Sequence, residues 1–133
     1  MVGMIGLLRD NRMSEFEADI RKVRRNLPTS VELKVIIEAN LLTPSAIEAG
    51  IDCAVNAGAQ FVKSGTGFFG PCTVEQINLM VKSAGGRIKV KASGGIRTLA
   101  DCRQMLAAGA ERIGTSASVG IMKEWAELPR IAL

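Results

Sequence analysis

Two lysines stand where burying an ammonium costs free energy. Lys63 closes the run Ala59-Gln60-Phe61-Val62, Lys91 closes Ile88-Lys89-Val90, and small turn-forming residues follow each. If the two runs are neighbouring parallel strands, they lie about 5 Å apart. Both ammonium groups then share a cavity at the C-terminal strand ends, where barrels and open α/β sheets gather their active sites. Like charge and desolvation both disfavour the protonated amine and lower its pKa. A neutral lysine attacks carbonyls, giving a carbinolamine and then an imine. The protonated imine is an electron sink that stabilises the enamine left when the adjacent carbon-carbon bond breaks. Metal-free aldol chemistry needs that sink.

Anion chemistry is suggested beside it. Ser93-Gly94-Gly95-Ile96 follows Lys91, and Gly114-Thr115-Ser116-Ala117-Ser118 ends the last apolar run. Glycine lets backbone N–H groups approach an anion, and loops after the last two strands of a barrel are its usual phosphate site. Run 33 to 39 sets Lys34, Ile36 and Glu38 on one face and Leu33, Val35 and Ile37 on the other. Two ionisable groups on one face suit a polar barrel interior, and a structural role for them competes with a functional one. Lys89 shares the face of Lys91 one layer deeper and reads as structural or as a further source of positive field.

The elements that must position these residues alternate regularly. Strand-like runs cover Met1 to Leu8, Leu33 to Ala39, Gln60 to Lys63, Ile88 to Ala92 and Arg112 to Thr115. Helices are expected near 14 to 26, 44 to 57, 74 to 84, 99 to 108 and 118 to 126. Their starts carry capping pairs, Ser14 with Glu17, Thr73 with Gln76 and Thr98 with Asp101, while Thr43 precedes Pro44. Gly58, Gly85 and Gly109 fall where helices should end. Ala57-Gly58-Ala59 leads into FVKSGTG and Ala108-Gly109-Ala110 into RIGTS, a repeat two βα units apart. The rhythm predicts a parallel α/β sheet. A complete (β/α)8 barrel takes about 250 residues, so five strands mean either an open sheet or the latter part of a barrel.

Composition narrows the classes. The 133 residues suit one domain, 1–133, and 47% hydrophobic with 23% charged residues is ordinary for a globular chain. No apolar run reaches the eighteen or so residues of a membrane span, and no secretory leader is recognisable, so a cytoplasmic protein without a membrane partner is expected. Net charge is +4, yet aromatics are only 4% and the one basic cluster, Arg21, Lys22, Arg24 and Arg25, lies on one expected helix. It reads as a solvated face, not a nucleic-acid site. Cys53, Cys72 and Cys102 lack metal-ligand spacing and no histidine exists to complete a site, which predicts structural thiols.

The segments LKVIIEANLLT (33 to 43), AGAQFVKSGTGF (57 to 68), VKASGGIRT (90 to 98) and AGAERIGTSAS (108 to 118) resemble successive strand-end motifs of the deoxyribose-phosphate aldolases. The resemblance implies an incomplete TIM barrel of about five βα units, corresponding to strands 4 to 8. It implies cleavage of 2-deoxy-D-ribose 5-phosphate to acetaldehyde and D-glyceraldehyde 3-phosphate, with no metal or organic cofactor. The Schiff-base lysine falls on Lys63, the lysine that perturbs it on Lys91, and the active-site lysine of the preceding strand on Lys34. Substrate phosphate would meet Gly67, Gly94, Gly95 and Ser116, with Thr66 lining the site. Ser64-Gly65 departs from the Thr-Ser of many members, and Ala117 stands where some have a second serine. The family's proton-shuttling aspartate, in a pattern like E-[IV]-D, would immediately precede Met1, so this chain alone is expected to be impaired. Partners then include a sugar phosphate and either like chains or a separate N-terminal half. Two rivals remain open: a non-catalytic phosphate-binding half-barrel, and a Schiff-base aldolase for another sugar phosphate.

Overall fold

A computed structural model describes residues 1–128. Four parallel strands form one sheet in chain order: β1 (Lys34–Ile36), β2 (Phe61–Lys63), β3 (Lys89–Ser93) and β4 (Arg112–Gly114). Between them run α3 (Pro44–Asn56), α4 (Val74–Ala84) and α5 (Leu99–Ala107); α1 (Ile5–Arg9) and α2 (Met13–Arg25) precede β1, and α6 (Ser118–Ala126) follows β4. Chain-order parallel strands joined by helices are a run of barrel-type βα units. Val2 adds an isolated parallel bridge to Ile36, the remnant of a fifth strand.

That bridge corrects one expectation. The run Met1 to Leu8 is not a strand: Gly3 N–H donates to the Ile36 carbonyl, after which the chain coils into α1. A Cβ at Gly3 would lie 2.6 Å from the Phe16 ring, so the chain crosses closely over α2. Leu8 then buries against Gly50 of α3. The helical turn places Leu8 in the core. The Ser14 and Glu17 box is also absent, because α2 starts a residue earlier and Arg12 pairs with Glu15. Glu17 instead binds Arg21 and Asn56.

The other starts form as expected. Thr43 caps α3 beside Pro44, and Thr73 with Gln76 and Thr98 with Asp101 make complete capping boxes. Each satisfies N–H groups that a helix cannot satisfy internally, worth about 1 kcal/mol. Arg24, from the basic cluster, binds the carbonyls of Leu27, Pro28 and Val31 and fastens the turn after α2.

Strand alternation divides the sheet into two faces. Val35, Val62, Val90 and Ala92 point to the helices and join Phe16, Ile20, Ile51, Ile77 and Met80 in the core. Removing a buried ring such as Phe16 by mutation to alanine costs about 3–5 kcal/mol. The opposite face carries the cations. Among the described residues no helix is long and apolar enough to cross a membrane.

Candidate active site at the C-terminal strand ends

Register sets the layers of the cationic face. Lys34 pairs with Phe61 and Phe61 with Lys89; one step on, Ile36 pairs with Lys63, Lys63 with Lys91 and Lys91 with Arg112. Phe61, in the lower layer, is surrounded by its neighbours Lys34 at 5.1 Å and Lys89 at 5.4 Å and by Arg112 of the upper layer at 4.3 Å from its ring centre. The negative face of the ring partly offsets their mutual repulsion. Arg112 also approaches Glu32 at 3.8 Å.

Lys63 and Lys91 therefore stand side by side, and both line a cleft of about 710 Å³ above the strand ends. Burial, then repulsion from Lys34, Lys63 and Arg112, lowers the Lys91 ammonium below the ordinary lysine range. Lys34 contributes to that field from one layer deeper, and it does not line the cleft. A Cβ at Gly114 would sit 2.6 Å from Lys91 Cε and 3.2 Å from its Nζ, so the bare backbone of β4 makes room for the Lys91 side chain. Spacing gave no sign of that role, which depends on a cross-strand neighbour.

Two buried serines lock the ends of β2 and β3. Ser64 Oγ donates to the Ser93 carbonyl at 3.0 Å and accepts from Ser93 N–H, while Ser93 Oγ donates to the Gly65 carbonyl at 2.6 Å. Past this lock the loops interleave. Gly95 has φ +73, and a Cβ there would meet Pro71 Cβ at 2.5 Å; Gly94, at φ +106, lies against the Gly70 carbonyl. Cys72 N–H donates to the Gly94 carbonyl. Its thiol is buried and raised in pKa mainly by that burial; Cys53 and Cys102 are likewise free and buried.

Gly67, Gly94, Gly95, Thr66 and Ser116 all line the cleft beside the lysines. Among the described residues, the backbone N–H groups of Gly67, Gly95, Ile96 and Ser116 meet no protein acceptor, and unpaired N–H groups beside cations suit an anion. Two hydroxyls are already committed. Thr115 Oγ1 donates to the Ile96 carbonyl at 2.6 Å, and Thr66 Oγ1 donates to Glu38 Oε2 at 2.7 Å. Glu38 corrects another expectation: β1 stops at Ile36, and Glu38 leaves the strand with φ 51. Its carboxylate turns to Thr66 and is not presented on the strand face with Lys34.

The chain is thus a parallel α/β protein of (β/α)8-barrel type, incomplete, with a lysine pair at the C-terminal strand ends. In sequence and fold the chain is related to the deoxyribose-phosphate aldolases. It is 44% identical over 129 residues to the deoxyribose-phosphate aldolase of Corynebacterium diphtheriae, covering 96% of this chain and 59% of that protein. A solved structure from Coccidioides immitis, assigned as a deoxyribose-phosphate aldolase, superposes with TM-score 0.90 at 42% identity over 95% of this chain and 51% of that one. The tetrameric deoxyribose phosphate aldolase of Aeropyrum pernix gives TM-score 0.81 at 27% identity, over 86% and 50%. The chain thus spans about half the length of the relatives it matches. No family model matches it.

Proposed function

We propose that the chain carries the imine-forming half of an aldolase that cleaves 2-deoxy-D-ribose 5-phosphate to D-glyceraldehyde 3-phosphate and acetaldehyde. The observation that supports this best is the register pairing of Lys63 with Lys91 in one cleft. In this reading the Lys63 amine adds to the substrate aldehyde carbon, and loss of water gives a protonated imine. The bond between the second and third carbons then breaks, its electron pair moves toward the imine nitrogen, and the third-carbon hydroxyl loses its proton. The triose phosphate leaves, the enamine takes a proton at its terminal carbon, and water hydrolyses the imine to release acetaldehyde.

Lys91, held below the ordinary lysine range, is the group suited to exchange protons beside the imine. Among the described residues no carboxylate lines the cleft, so Lys91 and water are the available proton carriers. Lys34 would deepen the positive field without touching substrate. Phosphate would sit on the N–H groups of Gly95 and Ser116, at the loops after the last two strands, and of Gly67 in the loop after β2. The reading places the chain in deoxyribose phosphate breakdown. It includes assembly with like chains or with a chain supplying further βα units, since Val2 and Met4 near β1 and Val119, Met122 and Trp125 on α6 are exposed.

Cleavage of 2-deoxy-D-ribose 5-phosphate, coupled to detection of triose phosphate, is the test. Turnover abolished by Lys63→Ala supports the reading. The unpaired N–H groups also favour a passive phosphate binder, which predicts phosphate affinity with no turnover under any condition. Faster cleavage of a different sugar phosphate would reassign the substrate.

A further inference from the structure

Glu38 is only 3% exposed, yet it lies outside the lysine cleft and, among the described residues, belongs to no ion pair. Its backbone is left-handed, with φ 51 and ψ 60, a conformation that a side chain disfavours. What holds it there is distant in sequence. Oε1 accepts from Thr66 N–H at 3.0 Å, Oε2 accepts from the same N–H at 3.2 Å, and Oε2 accepts from Thr66 Oγ1 at 2.7 Å. Ala39 N–H, next along, donates to the Ser64 carbonyl at 2.7 Å. A Cβ at Gly65 would lie 2.6 Å from Glu38 Oε1, so the carboxylate occupies space that only glycine leaves open.

These contacts decide which donors face the cleft. Thr66 spends its N–H and its hydroxyl proton on Glu38, and its oxygen accepts from Phe68 N–H at 3.3 Å. Phe68 N–H is thereby turned away as well. Gly67 N–H, between them, keeps no protein acceptor among the described residues and lies on the cleft wall. The carboxylate and the Thr66 hydroxyl oxygen behind the turn satisfy the flanking donors and leave one N–H toward the anion. Neighbouring Asn40 anchors the far side of the same loop by donating to the Pro71 carbonyl at 3.1 Å.

We propose that Glu38 is a positioning residue that fixes the Thr66-Gly67-Phe68 turn, so that Gly67 N–H presents to the phosphate of the substrate. The inference rests on the aldolase reading for its substrate but stands separately in its test. A glutamine at 38 keeps the shape and replaces one acceptor by a donor that faces the donors of Thr66. The turn should then rotate and lose its aim.

The experiment measures binding of inorganic phosphate by calorimetry, and in parallel borohydride trapping with acetaldehyde, which carries no phosphate. Glu38→Gln should weaken phosphate binding about tenfold, the scale of one hydrogen bond to a charged group, with a much smaller change in trapping rate. Thr66→Val, which removes the hydroxyl alone, should weaken phosphate in the same direction. In the Thr66→Val background, Glu38→Gln should add less than it does alone. Phosphate affinity unchanged in Glu38→Gln, or in Thr66→Val if Glu38→Gln fails to fold, overturns the inference. Equal loss of phosphate binding and trapping also overturns it, since that marks general disruption. Absence of trapping in the parent protein rejects the aldolase reading and leaves the phosphate comparison valid.

Discussion

Replacing Gly95 by alanine probes the loop packing that shapes the cleft. The backbone there has φ +73, where a side chain costs about 1–2 kcal/mol. The added methyl would lie 2.5 Å from Pro71 Cβ and 3.1 Å from Pro71 Cα, a collision with a rigid ring and its backbone. Overpacking of that kind costs about 1–3 kcal/mol more. Together the two effects predict a loss of about 2–5 kcal/mol. Unfolding entropy near about 2.1 cal/mol/K per residue gives about 0.28 kcal/mol/K for 133 residues, hence a melting point lower by about 7–18 °C. Thermal unfolding followed by circular dichroism reads this directly. A variant melting within about 2 °C of the parent would mean that strain and contact had both relaxed without cost, contrary to this packing.

Gly114→Ala should be milder: its φ is unstrained and the methyl meets mainly the flexible end of Lys91, with Ser93 Cβ at 3.0 Å the one rigid neighbour, so stability should fall by about 1 kcal/mol while the Lys91 pKa moves. Titration of the Lys91 amine by NMR checks this, and an unmoved resonance contradicts it. Ser64→Ala strands the buried Ser93 N–H, and urea denaturation should show a loss of about 1–3 kcal/mol. Because the folded Lys91 pKa is lowered, the unfolded chain binds the extra proton between that value and the ordinary lysine value near 10.5. Stability contributed through Lys91 therefore rises with pH across that window, and its charge opposes folding below it. Denaturation across the window should show a steeper rise for the parent than for Lys91→Met, and equal slopes would contradict the assignment.

Much of this was legible because it is local. Thr43-Pro44, Thr73 with Gln76 and Thr98 with Asp101 announce helices through short-range hydrogen bonds, and Lys63 and Lys91 announce themselves as charges at the ends of apolar runs. Parallel chain order then brings the two lysines into register. Tertiary partners decided what sequence did not disclose. Met1 to Leu8 has strand-like residues, but Gly3 beneath Phe16 and Leu8 against Gly50 favour a bridge followed by a helix. Ser14 had a helical partner at the right spacing, yet α2 begins at Met13, with Arg12 at its N-cap paired to Glu15. Glu38 looked like a strand residue beside Lys34; its left-handed turn is held by Thr66, a contact no periodicity encodes. The interleaving of Gly95 with Pro71 and the room Gly114 leaves for Lys91 were hidden for the same reason.

If Lys63 forms an imine in a cleft shared with Lys91, acetaldehyde with borohydride should trap it there. Reduction makes the adduct permanent, and peptide mass spectrometry locates it. One ethyl group is expected, placed on Lys63, formed faster than on any exposed lysine and slowed in Lys91→Leu near neutral pH. Adducts spread evenly over Lys22, Lys82, Lys123 and Lys63 would contradict it.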